Sequence, residues 1–297
     1  MMFNFTSYKK AGSIQEALDL LKANPEAKLL AGGTDLLVKN HKGDNRFKHL
    51  IDIHDVAELN FITMTDDGDL VIGPGTCFRE VCESPLVLRN IPVLAEAVRT
   101  IGGPQIRNMA TIGGNICNGN PCADSVPPLM ALNAVLTLDG ADGPRQVPLG
   151  DFFLGPGLVA LEQQKILTAI TITLPNYEGC QGHYYKYSVR EAMDIAIIGC
   201  AAVCRVEEGI LRDLRLAYST AAPVPIRCAS TEKKAAGRQI SNQLLDEIAA
   251  AVKNDVDPRT SWRATKDFRR HIIETLARRV VKQAVLNAGG GFNDSDD

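Results

Sequence analysis

Ile14, Ala17, Leu18 and Leu21 recur at helical spacing directly behind Ser13-Ile14-Gln15-Glu16. A Ser followed three residues on by a Glu predicts a capping box, in which each side chain satisfies a free backbone donor of the first turn. Residues 27–31 then predict a short strand that runs straight into Gly32-Gly33, and 49–53 a second strand about 20 residues on, so the chain starts as a small α/β element. The style changes after that. Residues 61–64 and 70–72, joined by Asp66-Asp67-Gly68-Asp69, predict a β-hairpin. Residues 78–84 and 93–101 predict helices, the first stopped by Pro85, while 134–138 and 166–174 predict strands. This half is mixed α+β and not a regular βαβ series.

Pro175-Asn176-Tyr177-Glu178-Gly179 marks a boundary between two patterned regions. Beyond it, 184–189, 195–206 and 211–218 predict three successive strands, followed by helices over 242–252 and from 266 to about 288. The expected organisation is a first domain over 1–176, a smaller α+β domain of antiparallel sheet plus helices over 181–288, and a tail over 289–297. The tail is Gly-rich and then acidic, which predicts disorder. Near the last helix, Arg263, Lys266, Arg269, Arg270, Arg278, Arg279 and Lys282 lie beside an apolar row of Phe268, Ile272, Ile273, Leu276, Val280 and Val281. An amphipathic helix with a solvated basic face accounts for that pattern without nucleic acid.

Composition narrows the class without choosing a function. The chain has 297 residues, 45% of them hydrophobic and 23% charged, and a formal net charge of -3, which gives no global attraction to nucleic acid. Its longest apolar run, 195–204, is far short of the roughly 18 residues of a membrane span. The opening Met1-Met2-Phe3-Asn4-Phe5 lacks the basic segment and apolar core of a secretory signal, so a cytoplasmic location is expected. Of the eight cysteines, the pairs Cys117/Cys122 and Cys200/Cys204 lack Cys-x-x-Cys spacing, and the five histidines are scattered. The cysteines therefore read as small buried hydrophobes and no metal site is expected.

The candidate chemistry lies in two glycine pairs, Leu29-Leu30-Ala31-Gly32-Gly33-Thr34-Asp35 and Asn108-Met109-Ala110-Thr111-Ile112-Gly113-Gly114-Asn115. A dinucleotide's pyrophosphate is a compact dianion, and successive backbone N–H groups converge on it only where the chain bends tightly and no Cβ intervenes. Thr34, Thr111 and Asn115 can add side-chain donors. Either pair alone reads as a turn. Together, with the turn-rich segment from Ile116 to Asp124 behind the second, they point to a ligand cradle. No Gly-x-Gly-x-x-Gly follows the opening strand and no phosphate loop of the Gly-Lys-Ser/Thr kind is present, which disfavours a Rossmann or nucleoside triphosphate site.

Ala31-Gly32-Gly33-Thr34-Asp35 and Thr111-Ile112-Gly113-Gly114-Asn115, about 80 residues apart, resemble the paired FAD-pyrophosphate motifs of the molybdenum-hydroxylase flavoproteins, the family of the carbon monoxide dehydrogenase medium subunit and the xanthine dehydrogenase FAD domain. Similarity continues at Gly103-Pro104-Gln105-Ile106-Arg107-Asn108, Ala123-Asp124-Ser125, Arg190-Glu191-Ala192-Met193-Asp194 and Ala221-Ala222-Pro223-Val224-Pro225-Ile226-Arg227. Ser261-Trp262-Arg263-Ala264-Thr265 is similar to the bacterial xanthine dehydrogenase pattern. The resemblance covers all but the tail. It implies a vanillyl-alcohol-oxidase-like (PCMH-type) FAD domain followed by the family's C-terminal domain.

By motif position the resemblance implies that Lys28, Leu29, Leu30, Ala31, Gly32, Gly33, Thr34 and Asp35, with Ala110, Thr111, Ile112, Gly113, Gly114 and Asn115, wrap the FAD pyrophosphate and its neighbouring sugar groups. Asp124 matches a polar FAD contact, Ile166 a contact near the adenine end, Lys186 a position near the flavin, and Asp194 an acidic position on its nicotinamide-facing side. Ile101 falls where the family can place an aromatic residue against the flavin; here it is aliphatic. No acid, base or nucleophile is assigned. The implied role is electron transfer from [2Fe-2S] clusters on a small partner chain, through FAD, to NAD. Purine hydroxylation would occur on a molybdenum-cofactor large subunit, within a heterotrimer or its dimer. A cluster-bearing cysteine loop, which some relatives insert here, is not expected. The residues leave open another molybdenum-hydroxylase substrate, a stand-alone flavin oxidoreductase and a non-enzymatic ligand-binding protein.

Overall fold

A computed structural model gives the structure of residues 5–292. Three short parallel strands open the fold, with His49–Asp52 between Ser7–Lys10 and Lys28–Leu30. The helices Ile14–Ala23 and Leu36–His41 lie on the connections. Ser13 caps the first as expected, its hydroxyl accepting the Glu16 N–H at 3.1 Å. The return arm differs from the predicted box: the Glu16 carboxylate accepts the N–H of Gly12, at 2.7 Å, and not that of Ser13. Ala17 and Leu21 from this helix meet Ile51, Val56, Leu59 and Ile166 in a small core.

The predicted hairpin, Ile62–Met64 and Leu70–Ile72, forms the edge of a five-stranded antiparallel sheet continued by Ile166–Ile172, Val135–Asp139 and Arg145–Pro148. Helices Phe78–Glu83, Pro85–Asn90 and Pro92–Arg99 share its core. Pro85 ends the first of these, as the sequence indicated, but also starts the next. At the first helical position its missing N–H costs nothing and its fixed φ suits the helix. Mixed helices and antiparallel sheet bear out the α+β class.

A third sheet runs Gln181–Tyr187, Ile198–Glu207, Ile210–Ser219 and Ile226–Arg227, antiparallel throughout. Both of its faces are covered. Ala201, Val203 and Ala217 pack into the core of the preceding sheet. Cys200, Ala202, Cys204, Leu214, Leu216 and Tyr218 pack against the helices Asn242–Ala251 and Lys266–Asn287. Burial on both faces is why this strand reads as an unbroken apolar run and not as an alternation. Arginines fasten the turn ahead of it. Arg215 donates to the Asn176 carbonyl at 2.8 Å and to Cys180 Sγ at 3.1 Å, and pairs with Asp213 at 2.9 Å. Arg227 reaches the Met130 carbonyl and Asn133 Oδ1 while its fork holds Glu232.

The long final helix corrects one reading. Ile272, Ile273, Leu276, Val280 and Val281 are buried as the period required, but Phe268 is 42% exposed and Arg269 only 2%. In the first turn, the Arg269 guanidinium enters the fold to meet the Ile197 carbonyl and Ser261 Oγ, so the basic face is not wholly solvated. At the far end, Gly290 donates to the Val285 carbonyl and Phe292 packs on the second core; 293–297, the rest of the predicted disordered tail, lie outside the described residues. Among the described residues, no helix is long and apolar enough to cross a membrane.

Replacing Arg215 by Met should lower stability by about 1–3 kcal/mol, because the Asn176 carbonyl loses its donor and Asp213 its cation. The midpoint of urea unfolding reads this directly. An unchanged midpoint would show that the clamp is not what fastens the turn.

Candidate functional site

The strand Lys28–Leu30 ends in a loop that must turn at once into the helix Leu36–His41. Gly33 makes the turn with φ +70°, a conformation open chiefly to glycine. Gly32 has another reason to lack a side chain: a Cβ there would stand 1.8 Å from the Met109 carbonyl oxygen, so the two glycine-bearing segments touch at this point. The Gly33 and Asp35 carbonyls accept the N–H groups of Leu37 and Lys39. Among the described residues, nothing accepts the N–H groups of Gly32, Gly33, Thr34 and Asp35 or bonds the Thr34 hydroxyl. Lys28, Leu29 and Leu30 take part in strand pairing, Leu30 with its side chain buried. Asp35 accepts Asn118 Nδ2 at 3.0 Å, and Lys39 Nζ reaches Asn118 Oδ1 at 2.5 Å, so this loop is braced by the segment that follows the second glycine pair.

The second pair behaves differently. Thr111 is the N-cap of a helix, Ile112–Cys117, and Gly113 and Gly114 lie inside it. Its first N–H groups all have protein acceptors: Ile112 to the Thr76 carbonyl, Gly113 to the Pro74 carbonyl, Gly114 to Thr111 Oγ1 and Asn115 to the Thr111 carbonyl. Ala110 donates to the Ile106 carbonyl and accepts from Phe78. A Cβ on Gly113 would lie 2.4 Å from Pro74 Cβ, so this glycine is small for packing. The expectation that both pairs offer converging N–H groups is thus corrected. The donors are open at the first loop and closed at the second, where the helix cap and the Pro74–Thr76 turn after the strand Leu70–Ile72 take them. What the second motif presents is Asn115, whose Oδ1 accepts the Ser125 hydroxyl at 2.7 Å and whose Nδ2 has no acceptor among the described residues.

Asp124 and Lys186, 62 positions apart, meet at 2.9 Å with both side chains more than nine-tenths buried. Tyr184 Oη donates to the other Asp124 oxygen at 2.6 Å, and Lys186 Nζ also reaches the Thr100 carbonyl at 3.0 Å. Burial, partly offset by Lys186, raises the Asp124 pKa above its ordinary value. A carboxyl whose folded pKa is raised favours folding below its unfolded pKa, and that contribution is lost as pH rises through the folded one. Ile101 is half-buried against the main core, its carbonyl accepting from Arg107. Ile166 is 1% exposed, inside the small core, so only its main chain could face a ligand. Asp194 lies apart on an exposed loop, where it accepts the N–H groups of Val189, Arg190 and Ile195; that last bond leads the effects holding its pKa down.

Sequence reasoning missed Asn118, Tyr184 and Thr220. The last is a β-branched residue at φ +63° whose N–H donates to the Pro121 carbonyl. Burial raises the Cys117 and Cys204 thiols to about 12 and Cys122 to about 11, so at neutral pH they are uncharged. Among the described residues, no group of three or more His, Cys, Asp and Glu is placed to hold a metal. A cleft of about 360 Å³ lies elsewhere, on the seam lined by Asn133, Asn176, Arg215 and Arg227, whose two guanidiniums are already bonded.

Residues 2–176 match the family model described as the FAD binding domain in molybdopterin dehydrogenase, and 183–284 that of the CO dehydrogenase flavoprotein C-terminal domain. A xanthine dehydrogenase FAD-binding subunit of Escherichia coli is 46% identical over 289 residues, covering 97% of this chain and 99% of its own. A glyceraldehyde dehydrogenase medium chain of Sulfolobus acidocaldarius is 32% identical over 93% of this chain and 97% of its own. Among solved structures, a chain of the carbon monoxide dehydrogenase from Hydrogenophaga pseudoflava superposes with a TM-score of 0.92 at 31% identity, covering 97% of this chain and 99% of that one.

Gly32→Ala should destabilise the fold far more than Gly114→Ala. The first drives a Cβ into a main-chain carbonyl, whereas the second displaces Thr111 Oγ1 at the cost of one N-cap, about 1 kcal/mol. Equal losses on urea unfolding would contradict the geometry. Lys186→Met should cost about 3–5 kcal/mol by stranding Asp124, and the double variant Asp124→Leu/Lys186→Met should recover most of it. A double variant no better than the single one would show that the pair is not what matters there.

Proposed function

The chain belongs to the flavoprotein family of the molybdopterin dehydrogenases, and on that premise we propose that it is the FAD-carrying subunit of a molybdenum hydroxylase, one that oxidises xanthine and passes the electrons to NAD. The observation that carries the cofactor reading is the run of four backbone donors, Gly32 to Asp35, that no protein group satisfies. Successive N–H groups left open at a strand end can build an anion-binding concavity suited to a pyrophosphate. The Thr34 hydroxyl and Asn115 Nδ2 add side-chain donors from the two motifs, which the Gly32–Met109 contact holds against each other.

The remaining residues of the site hold these donors in place. Thr111 and Gly113 fix the helix that carries Asn115, and Asn118 ties that segment back to Asp35 and Lys39. Asp124 and Lys186 bind the cofactor side of the first lobe to the third sheet and to the Thr100 carbonyl beside Ile101. Through these ties they would set the height of the flavin edge. Ile101 would offer it an aliphatic surface, and Asp194 a carboxylate on the exposed loop. FAD, when bound, supplies the exchange of single electrons for a hydride pair. This chain's own residues bind and orient it, and no acid or base among them is assigned. The partners in this reading are a large molybdenum-cofactor subunit and a small [2Fe-2S] subunit, in a heterotrimer or its dimer in the cytoplasm. Xanthine rests on the 46% identity to the Escherichia coli subunit.

The purified chain should take up one FAD and turn yellow, and Thr34→Val should weaken that uptake roughly tenfold for the loss of a hydrogen bond to an anion. A chain that stays colourless on reconstitution would refute the cofactor reading. Assembled with its partner subunits, it should form NADH from NAD when xanthine is added. Oxidation of a different heterocycle or aldehyde in place of xanthine would overturn the substrate, and xanthine oxidation without NADH would overturn the acceptor.

A further inference from the structure

We propose that Arg259, Arg263 and Arg269, with Thr220, form a phosphate-binding site for a nucleotide, built by the C-terminal lobe on the rim of the cofactor cleft. It rests on the FAD reading for where the phosphate comes from, but the charge that needs neutralising is there without it.

Main-chain bonds put the segment in place. Asp257 N–H donates to the Ala221 carbonyl and Thr220 N–H to the Pro121 carbonyl, both at 2.9 Å. A continuous edge therefore runs from the first glycine loop through Asn118 and Pro121 to the residues ahead of the last helix. The Arg263 N–H donates to Ser261 Oγ at 3.3 Å, the same hydroxyl that Arg269 reaches at 3.0 Å, so the two arginines meet at one side chain of this segment.

Two buried polar groups here lack partners. Arg269 is 2% exposed, yet meets only neutral acceptors, the Ile197 carbonyl and Ser261 Oγ, while its Nε has none. Thr220 Oγ1 is also buried without a partner, on a residue held in a left-handed conformation that a β-branched side chain rarely adopts. On the last helix Lys266 pairs with Asp257 and Arg278 with Asp246, whereas Arg270, Arg279 and Lys282 lie on its surface side without a carboxylate among the described residues. Among the described residues, Arg259, Arg263 and Arg269 have none within ion-pairing distance. Burial first, then the like charges of Arg259 and Arg263, lower the Arg269 pKa.

Three arginines without carboxylate partners, with buried polar atoms unsatisfied on Arg269 and Thr220, suit an anion with several oxygens. A phosphate suits the guanidinium fork and has oxygens to spare for a hydroxyl. Arg263 is already stacked on Trp262, 4.1 Å from the ring centre, on a side chain 84% exposed. That stacking orders the cation before any ligand arrives.

The test compares the wild-type chain with the double variant Arg259→Gln/Arg263→Gln, of which Arg259 is exposed and Arg263 half-buried, by calorimetric titration. Three probes are used: inorganic pyrophosphate on the FAD-free chain, FAD on the same chain, and NADH on the FAD-loaded chain. Pyrophosphate binding should weaken roughly tenfold or more in the variant, the loss expected for charge-assisted bonds. A matching loss for FAD identifies the flavin's own phosphates as the occupant, and a loss for NADH with FAD unchanged identifies a second nucleotide. Affinities within twofold of wild type for all three probes, or no pyrophosphate binding by wild type, would overturn the site. Arginine-dependent pyrophosphate binding by a chain that takes up no FAD would sink the cofactor reading and leave this one standing.

Discussion

A Cβ on Gly32 would have to share space with the Met109 carbonyl, 1.8 Å away. That steric limit joins two stretches of chain 77 positions apart, and the candidate site depends on it. One stretch ends a parallel strand and leaves four N–H groups without acceptors; the other caps a helix and closes its own. The arrangement is asymmetric for a physical reason. A helix N-terminus has orphan donors that must go somewhere, and here Thr111, Thr76 and Pro74 take them. The loop after Leu30 has no such neighbours, so its donors are left without a protein acceptor.

The rest of the fold supplies a rigid frame around that loop. The third sheet is apolar on both faces because each lobe packs on one of them, which leaves little freedom to slide. Arg215 and Arg227 fix its outer side to main-chain carbonyls of the first lobe, and the buried Asp124–Lys186 pair does the same near the cleft. Buried pairs of this kind add little net stability, but they set a geometry. Here the pair ties Asp124 and the Thr100 carbonyl to the strand Gln181–Tyr187. Thr220 Oγ1 and Arg269 Nε, both buried without a hydrogen-bond partner, belong to the C-terminal lobe.

Much of this was readable from residue patterns. Strand positions, the hairpin turn and the long last helix follow from period and turn chemistry, which act over a few residues. What failed needed partners far along the chain. The requirement for Gly113 comes from Pro74, so the pair looked like a second open cradle when it is a packing site. Asp124 and Lys186 were each placed by family likeness, but nothing in their spacing announces that they face each other. In the last helix, a period of 3.6 puts Phe268 and Arg269 near the same boundary between faces. Only the carbonyl of Ile197 and the hydroxyl of Ser261 decide that the arginine goes inward. Thr220 left no local signal, since a left-handed β-branched residue is imposed by the contacts on either side of it.

Amide hydrogen exchange with and without FAD tests the central claim most directly, because it reads each N–H separately. The account predicts that FAD slows exchange at Gly32, Gly33, Thr34 and Asp35, whose donors are open, and changes little at Ile112 to Asn115, whose donors are already bonded. Protection gained at the second motif with none at the first would contradict it.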